Sequence, residues 1–254
     1  MTQGYVFDQA WHDERARIAG MESLWDSGTI AVLDGLGIQP GWHCLEVGAG
    51  GGTIAHWLSE RAMVTATDLD TRFVEPLASE MLLVSRHDIR EDPLPPAEFD
   101  LIHTRLVLEH LPERLAIIDK LIAALKPGGV LVVEDYDWTS FGWTPSDERL
   151  ERGVEAVFRL MQRAGFVPFY GRAVVGDLVA AGLLDVQGHG RALLIRMDHP
   201  GAAFFRLTLD ALAPALVKAE LISAEDAEYM QGQFADPAQR LMTPQMVVAI
   251  GRKA

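Results

Sequence analysis

The chain has 254 residues, of which 49% are apolar, enough for one large α/β unit with a substantial buried core. Its 36 acidic residues outnumber 22 basic ones, a formal charge of −14 that repels phosphate backbones and argues against nucleic acid as a partner. The start, Met1-Thr2-Gln3-Gly4-Tyr5, lacks the basic-then-apolar pattern of a secretory leader. No apolar run reaches the ~18 residues of a membrane span, and the lone Cys44 leaves no internal disulfide. A cytoplasmic protein without a membrane partner is expected, with Cys44 serving as a small buried hydrophobe.

Ala10, Ile18, Met21 and Leu24 fall at helical spacing, and Tyr5, Phe7 and Trp11 add aromatic bulk, so a helix is predicted over 10–24. A second is predicted over 29–36, ended by Gly37. Leu45-Glu46-Val47 then reads as a strand running into Gly48-Ala49-Gly50-Gly51-Gly52, with a helix from Thr53. A loop of this kind lets the backbone approach a ligand closely, and open α/β sheets bind ligands at the carboxyl ends of their strands. The dinucleotide fingerprint G-x-G-x-x-G requires a third glycine where this chain has Thr53, which argues against a nicotinamide oxidoreductase.

Residues 62–67 form a second predicted strand ending at Asp68, whose carboxylate suits the paired hydroxyls of a ribose. Leu82 to Arg86 is a third, leading to Asp88, and Phe99 to Arg105 a fourth. Pro93, Pro95 and Pro96 make the intervening stretch a loop. A helix is predicted over 112–125 with Leu115, Ile118, Leu121, Ile122 and Leu125 on one face. The turn Lys126-Pro127-Gly128-Gly129 leads to a fifth strand from Val130. Helices follow at 146–164 and 173–181, then one strand over 184–197, or two broken at Gly188-His189-Gly190. Two helices divide 200–234 near Leu221-Ile222-Ser223, where Ser223 and Asp226 are spaced as a capping pair, and a last strand spans 245–252.

In order and spacing, residues 40 to 138 resemble the class I S-adenosylmethionine (SAM)-dependent methyltransferases. The runs Thr104 to Pro112 and Val133 to Asp137 resemble bacterial members acting on small molecules. The resemblance implies a Rossmann-like, seven-stranded, mostly parallel sheet flanked by helices, with an antiparallel last strand. It implies a helical lid at 1–37 and a SAM-binding domain at 38–254. Within that domain, helical segments at 139–182 and 200–235 (the latter an insert before the last strand) would cap the substrate side. With SAM as cofactor, Glu46, Gly48, Ala49 and Gly50 would wrap its methionine part and Asp68 its ribose. Leu69 and Ile89 would flank the adenine, Asp88 would meet its edge, and Thr104 and Arg105 would approach the methyl end. Trp11 or Arg15 would touch the cofactor if the first helix is a lid, and neither would if it merely packs on the domain edge.

Methyl transfer is an in-line displacement, to which proximity and orientation alone contribute about 7 to 11 kcal/mol. A base is needed only for an acceptor still protonated at attack. His110 is the candidate, because histidine titrates near neutrality; otherwise it hydrogen-bonds the start of the next helix. Glu109 is a second, weaker candidate that otherwise faces solvent; Glu134, Asp135 and Asp137 border the cleft, to accept a proton or attract a cationic amine, or are in part solvated; and His103 reads as a core histidine. The histidines lack metal-ligand spacing, so no metal is expected. Tyr136, Trp138, Phe141, Tyr170 and Phe204 are candidates to line an apolar acceptor pocket, although core packing explains any one of them equally well. Arg172 and Arg206 read either as partners of an acceptor anion or as surface ion pairs. The expected function is methyl transfer from SAM to an O, N or C atom of a small aromatic or apolar acceptor. The alternative is a SAM-binding protein with a regulatory or assembly role.

Overall fold

The computed structural model describes residues 13–254; Trp11, with Tyr5, Phe7 and Ala10, lies outside them. Apolar strand segments ending in polar or glycine-rich turns assemble side by side, as expected for buried parallel strands. These are β1 (His43–Val47), β2 (Met63–Asp68), β3 (Leu82–Arg86), β4 (Phe99–Arg105) and β5 (Leu125–Asp137), all mutually parallel. Two more complete the sheet, β7 (Leu184–Arg191) and β10 (Gln245–Arg252), with β10 antiparallel to both β5 and β7. The order is β3-β2-β1-β4-β5-β10-β7. The chain therefore leaves β1 toward β2 on one side and returns to β4 on the other, which opens a crevice at the end of β1.

Helices cover both faces. Helix α2 (Thr53–Ser59) buries Ile54 and Leu58 on one side with Leu33 and Val64; α3 (Arg114–Ala124) and α5 (Gly171–Ala180) bury Ile118, Leu121, Val174 and Leu178 on the other. Leu115, assigned to the apolar face of α3 from spacing, is 59% exposed; Ile117 and Ala124 are buried in its stead. Cys44 is fully buried in β1.

The first two predicted helices are one, α1 (Glu14–Asp34). Gly28 lies inside it, between the two predicted segments, and Arg191 takes the space a side chain there would need, its Cζ standing 2.7 Å from where a Cβ would be. The helix is held from outside its own sequence: Trp25 bonds Tyr136, and Thr29 bonds Glu134.

The strand break near 190 also differs. Gly188 and Gly190 pair in register with Ala249 and Val247, and β7 ends instead at Arg191, with β8 (Leu194–Arg196) resuming after two residues. Strands β8, β6 (Gly142–Thr144) and β9 (Arg240–Met242) form a separate antiparallel sheet, order β6-β9-β8. At three residues each, these strands carry no readable periodicity.

Between β8 and β9 lie α6 (Ala202–Lys218) and α7 (Ala224–Gly232), the latter begun by a capping box of Ser223 and Asp226. Both join α4 (Glu148–Gln162) over an apolar cluster that includes Leu150, Phe204, Leu216 and Met230. Among the described residues, no helix is long and apolar enough to cross a membrane.

Candidate functional site

The loop after β1 turns sharply through Gly48 (φ +73) and Gly50 (φ +54), a left-handed backbone region that side chains disfavour. The N–H groups of Gly48 and Ala49 donate to the Thr67 carbonyl at 2.8 and 3.0 Å, tying the loop to β2. Gly50 N–H donates to Asp68 Oδ2 at 2.8 Å, while Asp70 N–H donates to Asp68 Oδ1 at 3.0 Å. Burial raises the Asp68 pKa, and those N–H donors oppose it. Each carboxylate oxygen retains a lone pair after one such bond.

This loop forms one end of a cavity of about 700 Å³. Gly48, Gly50, Asp68, Leu69, Asp88 and Ile89 line that end. Arg105, Glu109, His110 and Tyr136 contribute from the ends of β4 and β5. The remainder is an aromatic chamber walled by Trp138, Phe141, Trp143, Phe158, Phe166, Phe204 and Phe205. Its rings interlock: Trp138 meets Tyr136 at 5.2 Å, Phe141 at 4.9 Å and Phe158 at 5.5 Å, all edge-to-face. Asp88 grips Arg90 through Nε at 2.9 Å and Nη2 at 2.6 Å, which holds its carboxyl below the usual range.

Four expected site residues do not line the cavity. Glu46 turns into the core, where Oε2 meets His103 Nδ1 at 2.7 Å. Ala49 is engaged through its backbone, and Thr104 is buried in β4 with its hydroxyl unpartnered. Tyr170 sits in the core beneath α5, under the Arg114 guanidinium at 5.3 Å. Arg172 is bound to Asp137 at 2.7 and 2.9 Å and Arg206 to Asp210 at 3.1 Å, both outside the cavity. Arg15 contacts the Gly51 carbonyl at 3.4 Å and does not reach the cavity wall.

Glu109, read from sequence as a weaker base candidate or else solvent-facing, is 2% exposed and lines the cavity. Its Oε2 accepts from Tyr136 N–H at 3.0 Å, and Oε1 lies 3.4 Å from His110 Nε2. His110 stacks on Phe166 at 5.1 Å; burial, helped by the nearby charge of Arg17, lowers its pKa to about 3. Glu14 and Arg17 also line the cavity and were not anticipated; their mutual pairing at 2.6–2.7 Å lets both be buried. Only their i, i+3 spacing hinted at it.

Beneath this wall a second polar cluster fastens α1. Arg105 donates to Thr29 at 3.0 Å and Asp26 at 2.9 Å, and Arg191 reaches Glu134 at 3.2 Å. His103 lies between Glu46 and Glu134. Burial opposes its charge, but the two glutamates prevail and raise its pKa to about 9. Burial likewise opposes the charge of Glu134, yet His103 with Arg191 and Arg105 lowers it to about 2. Among the described residues, no group of three His, Cys, Asp or Glu side chains could hold a metal ion.

Residues 11–181 match the model of a family described as a methyltransferase domain. The chain is 32% identical to methyltransferase str2 of Strobilurus tenacellus over 54% of its own length and 51% of that protein's. With str3 of the same organism it matches 52%, so it spans about half the length of these two relatives. It is 30% identical to a ubiquinone biosynthesis O-methyltransferase of Paracidovorax citrulli, over 72% of this chain and 69% of that one. The fold is shared with Haemonchus contortus phosphoethanolamine N-methyltransferase 2, solved with S-adenosylhomocysteine. That match has a TM-score of 0.60 and 16% identity, over 98% of this chain and 59% of that one.

Proposed function

The chain belongs to the methyltransferase-domain family, and on that premise we propose that it transfers the methyl group of SAM to an O, N or C atom of a small aromatic or apolar acceptor. The observation that carries this is the continuity of one cavity from the glycine loop and Asp68 to the aromatic chamber. The residues at the loop end fit the cofactor. Gly48 and Gly50 offer a backbone wall without side chains, Asp68 offers free lone pairs to a ribose, and Leu69 and Ile89 offer apolar walls to an adenine. Bound there, SAM supplies an electrophilic methyl on a sulfonium.

The chain's own residues do the rest. The aromatic chamber receives an uncharged body and excludes water from it. Glu109 supplies the wall with a carboxyl that favours a cationic sulfonium, whereas Glu14 is balanced by Arg17. Helix α1 contributes Ile18 and Met21 to the wall, consistent with its reading as a lid. The overall charge of −14 and the single buried Cys44 fit a cytoplasmic enzyme with a small-molecule partner and no nucleic acid.

Isothermal titration with SAM and S-adenosylhomocysteine should show saturable binding, and a screen of phenols, quinols and amines with methyl-labelled SAM should show transfer. No binding at millimolar cofactor overturns the proposal. Binding without transfer to any acceptor would favour a regulatory or assembly role.

A further inference from the structure

We propose that Glu109 takes the proton of the acceptor, with Asp135 as its positioning residue, so that the acceptor is a neutral molecule bearing a hydroxyl or enol. This rests on the methyl-transfer reading. Glu109 lies just beyond β4 and Asp135 is in the neighbouring β5, and Glu109 N–H approaches Asp135 Oδ1 at 3.5 Å. Both side chains are buried, and Asp135 Oδ2 has no hydrogen-bond partner. Glu109 lines the cavity, whereas Asp135 stands behind it.

Among the described residues, no lysine or arginine forms an ion pair with either carboxyl. Arg114 acts on Asp135 only from a distance, its guanidinium being bonded to the carbonyls of Leu108 and Gly165. Glu134 adds a further like charge beside Asp135. On the other side, His110 Nε2 is 3.4 Å from Glu109 Oε1, and Arg17 beside His110 disfavours an imidazolium. Burial raises both carboxyls well above their usual range, helped at Glu109 by the charge of Asp135 and at Asp135 by that of Glu134. Two such groups do not both ionise, so the pair retains a proton at neutral pH.

The two carboxyls share that proton, and the form in which Asp135 carries it presents a Glu109 carboxylate to the cavity. A glutamate of raised proton affinity matches a phenol or enol better than an imidazole whose pKa is about 3. His110 therefore orients the hydroxyl rather than deprotonating it. In the step, the acceptor O–H proton passes to Glu109 Oε1 as the oxygen forms a bond to the methyl carbon. The methyl–sulfur bond breaks, and its electron pair goes to sulfur, leaving a neutral thioether.

The test titrates the full chain carrying glutamate labelled with carbon-13 at the carboxyl, by NMR, with and without S-adenosylhomocysteine. The Glu109 signal is identified by its loss in Glu109→Gln. Glu109 should titrate above the ordinary carboxylate range, and Asp135→Asn should bring it down. Should that variant not fold, the wild-type titration still decides. With a hydroxyl acceptor from the labelled-methyl screen, Glu109→Gln should lower kcat by about 100-fold without weakening S-adenosylhomocysteine binding. The acid limb of kcat/KM should follow the NMR titration, and His110→Asn should cost less. An ordinary Glu109 titration, full activity in Glu109→Gln, or transfer to amines alone would overturn the assignment. Absence of cofactor binding would instead count against methyl transfer itself, and the titration would still report on the pair.

Discussion

The indole N–H of Trp25 donates to the hydroxyl of Tyr136 at 2.6 Å, joining α1 to the end of β5 at the cavity wall. Both side chains are buried, their rings meeting edge-on at 5.8 Å. The helix that supplies Glu14 and Arg17 to the cavity is thus anchored by a polar contact inside an apolar cluster. Such a bond matters chiefly because each partner is costly to leave unsatisfied.

Trp25→Phe should therefore destabilise the protein by about 1–3 kcal/mol, because the Tyr136 hydroxyl stays buried without a donor. Tyr136→Phe should do likewise to the indole. The double variant should lose less than the sum, and urea unfolding of all four proteins measures the coupling. Strict additivity would show that the bond contributes nothing.

Asp68→Ala should weaken S-adenosylhomocysteine binding roughly tenfold to a hundredfold, from the loss of about 1.5–3 kcal/mol of hydrogen bonding to a charged group. The same change frees the Gly50 and Asp70 N–H groups, so the loop keeps only its bonds to the Thr67 carbonyl on β2. Calorimetry reads the affinity; an unchanged value would remove Asp68 from the cofactor site.

Gly48→Ala should cost about 1–2 kcal/mol from the left-handed backbone alone. The new Cβ also meets the Val107 side chain. Adding Val107→Ala should relieve the collision but not the backbone strain. Melting temperatures of the single and double variants separate the two, and a full rescue by Val107→Ala would show that the strain is negligible.

His103 gives a pH signature. Its pKa is raised by folding from about 6.5 to about 9, so its contribution is complete below pH ~6.5 and vanishes as pH rises through about 9. Glu134, lowered to about 2, contributes above its unfolded value of about 4.5 and loses this as pH falls toward 2. The stability gap between wild type and His103→Gln should be widest near pH 5–6 and shrink toward pH 9. A gap that does not change over that range would place a neutral histidine between the glutamates.

Burial raises the Cys44 thiol to about 12. A thiol-specific reagent at pH 8 should therefore label native protein only as fast as the sheet opens, and unfolded protein at once. Rapid labelling of native protein would mean that β1 is exposed in solution.

Much of the half of the sheet that carries the glycine loop was legible because its signals are local. The runs at 43–47, 63–68, 82–86 and 99–105 are apolar, end in turns, and lie side by side in one half of the sheet. Gly48, Gly50 and Asp68 occupy the end of that sheet because a strand fixes where its last residue stands. The misreadings share a cause. The two helices read over 10–24 and 29–36 are one because Trp25 and Thr29 bond residues of β5, and Gly188 and Gly190 stay in a strand because β10 pairs with them.

Residue types and spacing were thus enough for the order of β1 to β5, the parallel sheet, the bare loop and the acid at the end of β2, since each depends on neighbours a few positions away. They did not tell which way Glu46, Thr104, Glu109 and Tyr170 face, nor that the strands at 142, 194 and 240 meet in a second sheet. Those outcomes depend on contacts between distant segments, such as Thr29 with Glu134 and Trp25 with Tyr136. Only assembly of the whole chain removes water from Glu109 and Asp135, and burial beside a like charge is what alters a carboxyl's affinity for its proton.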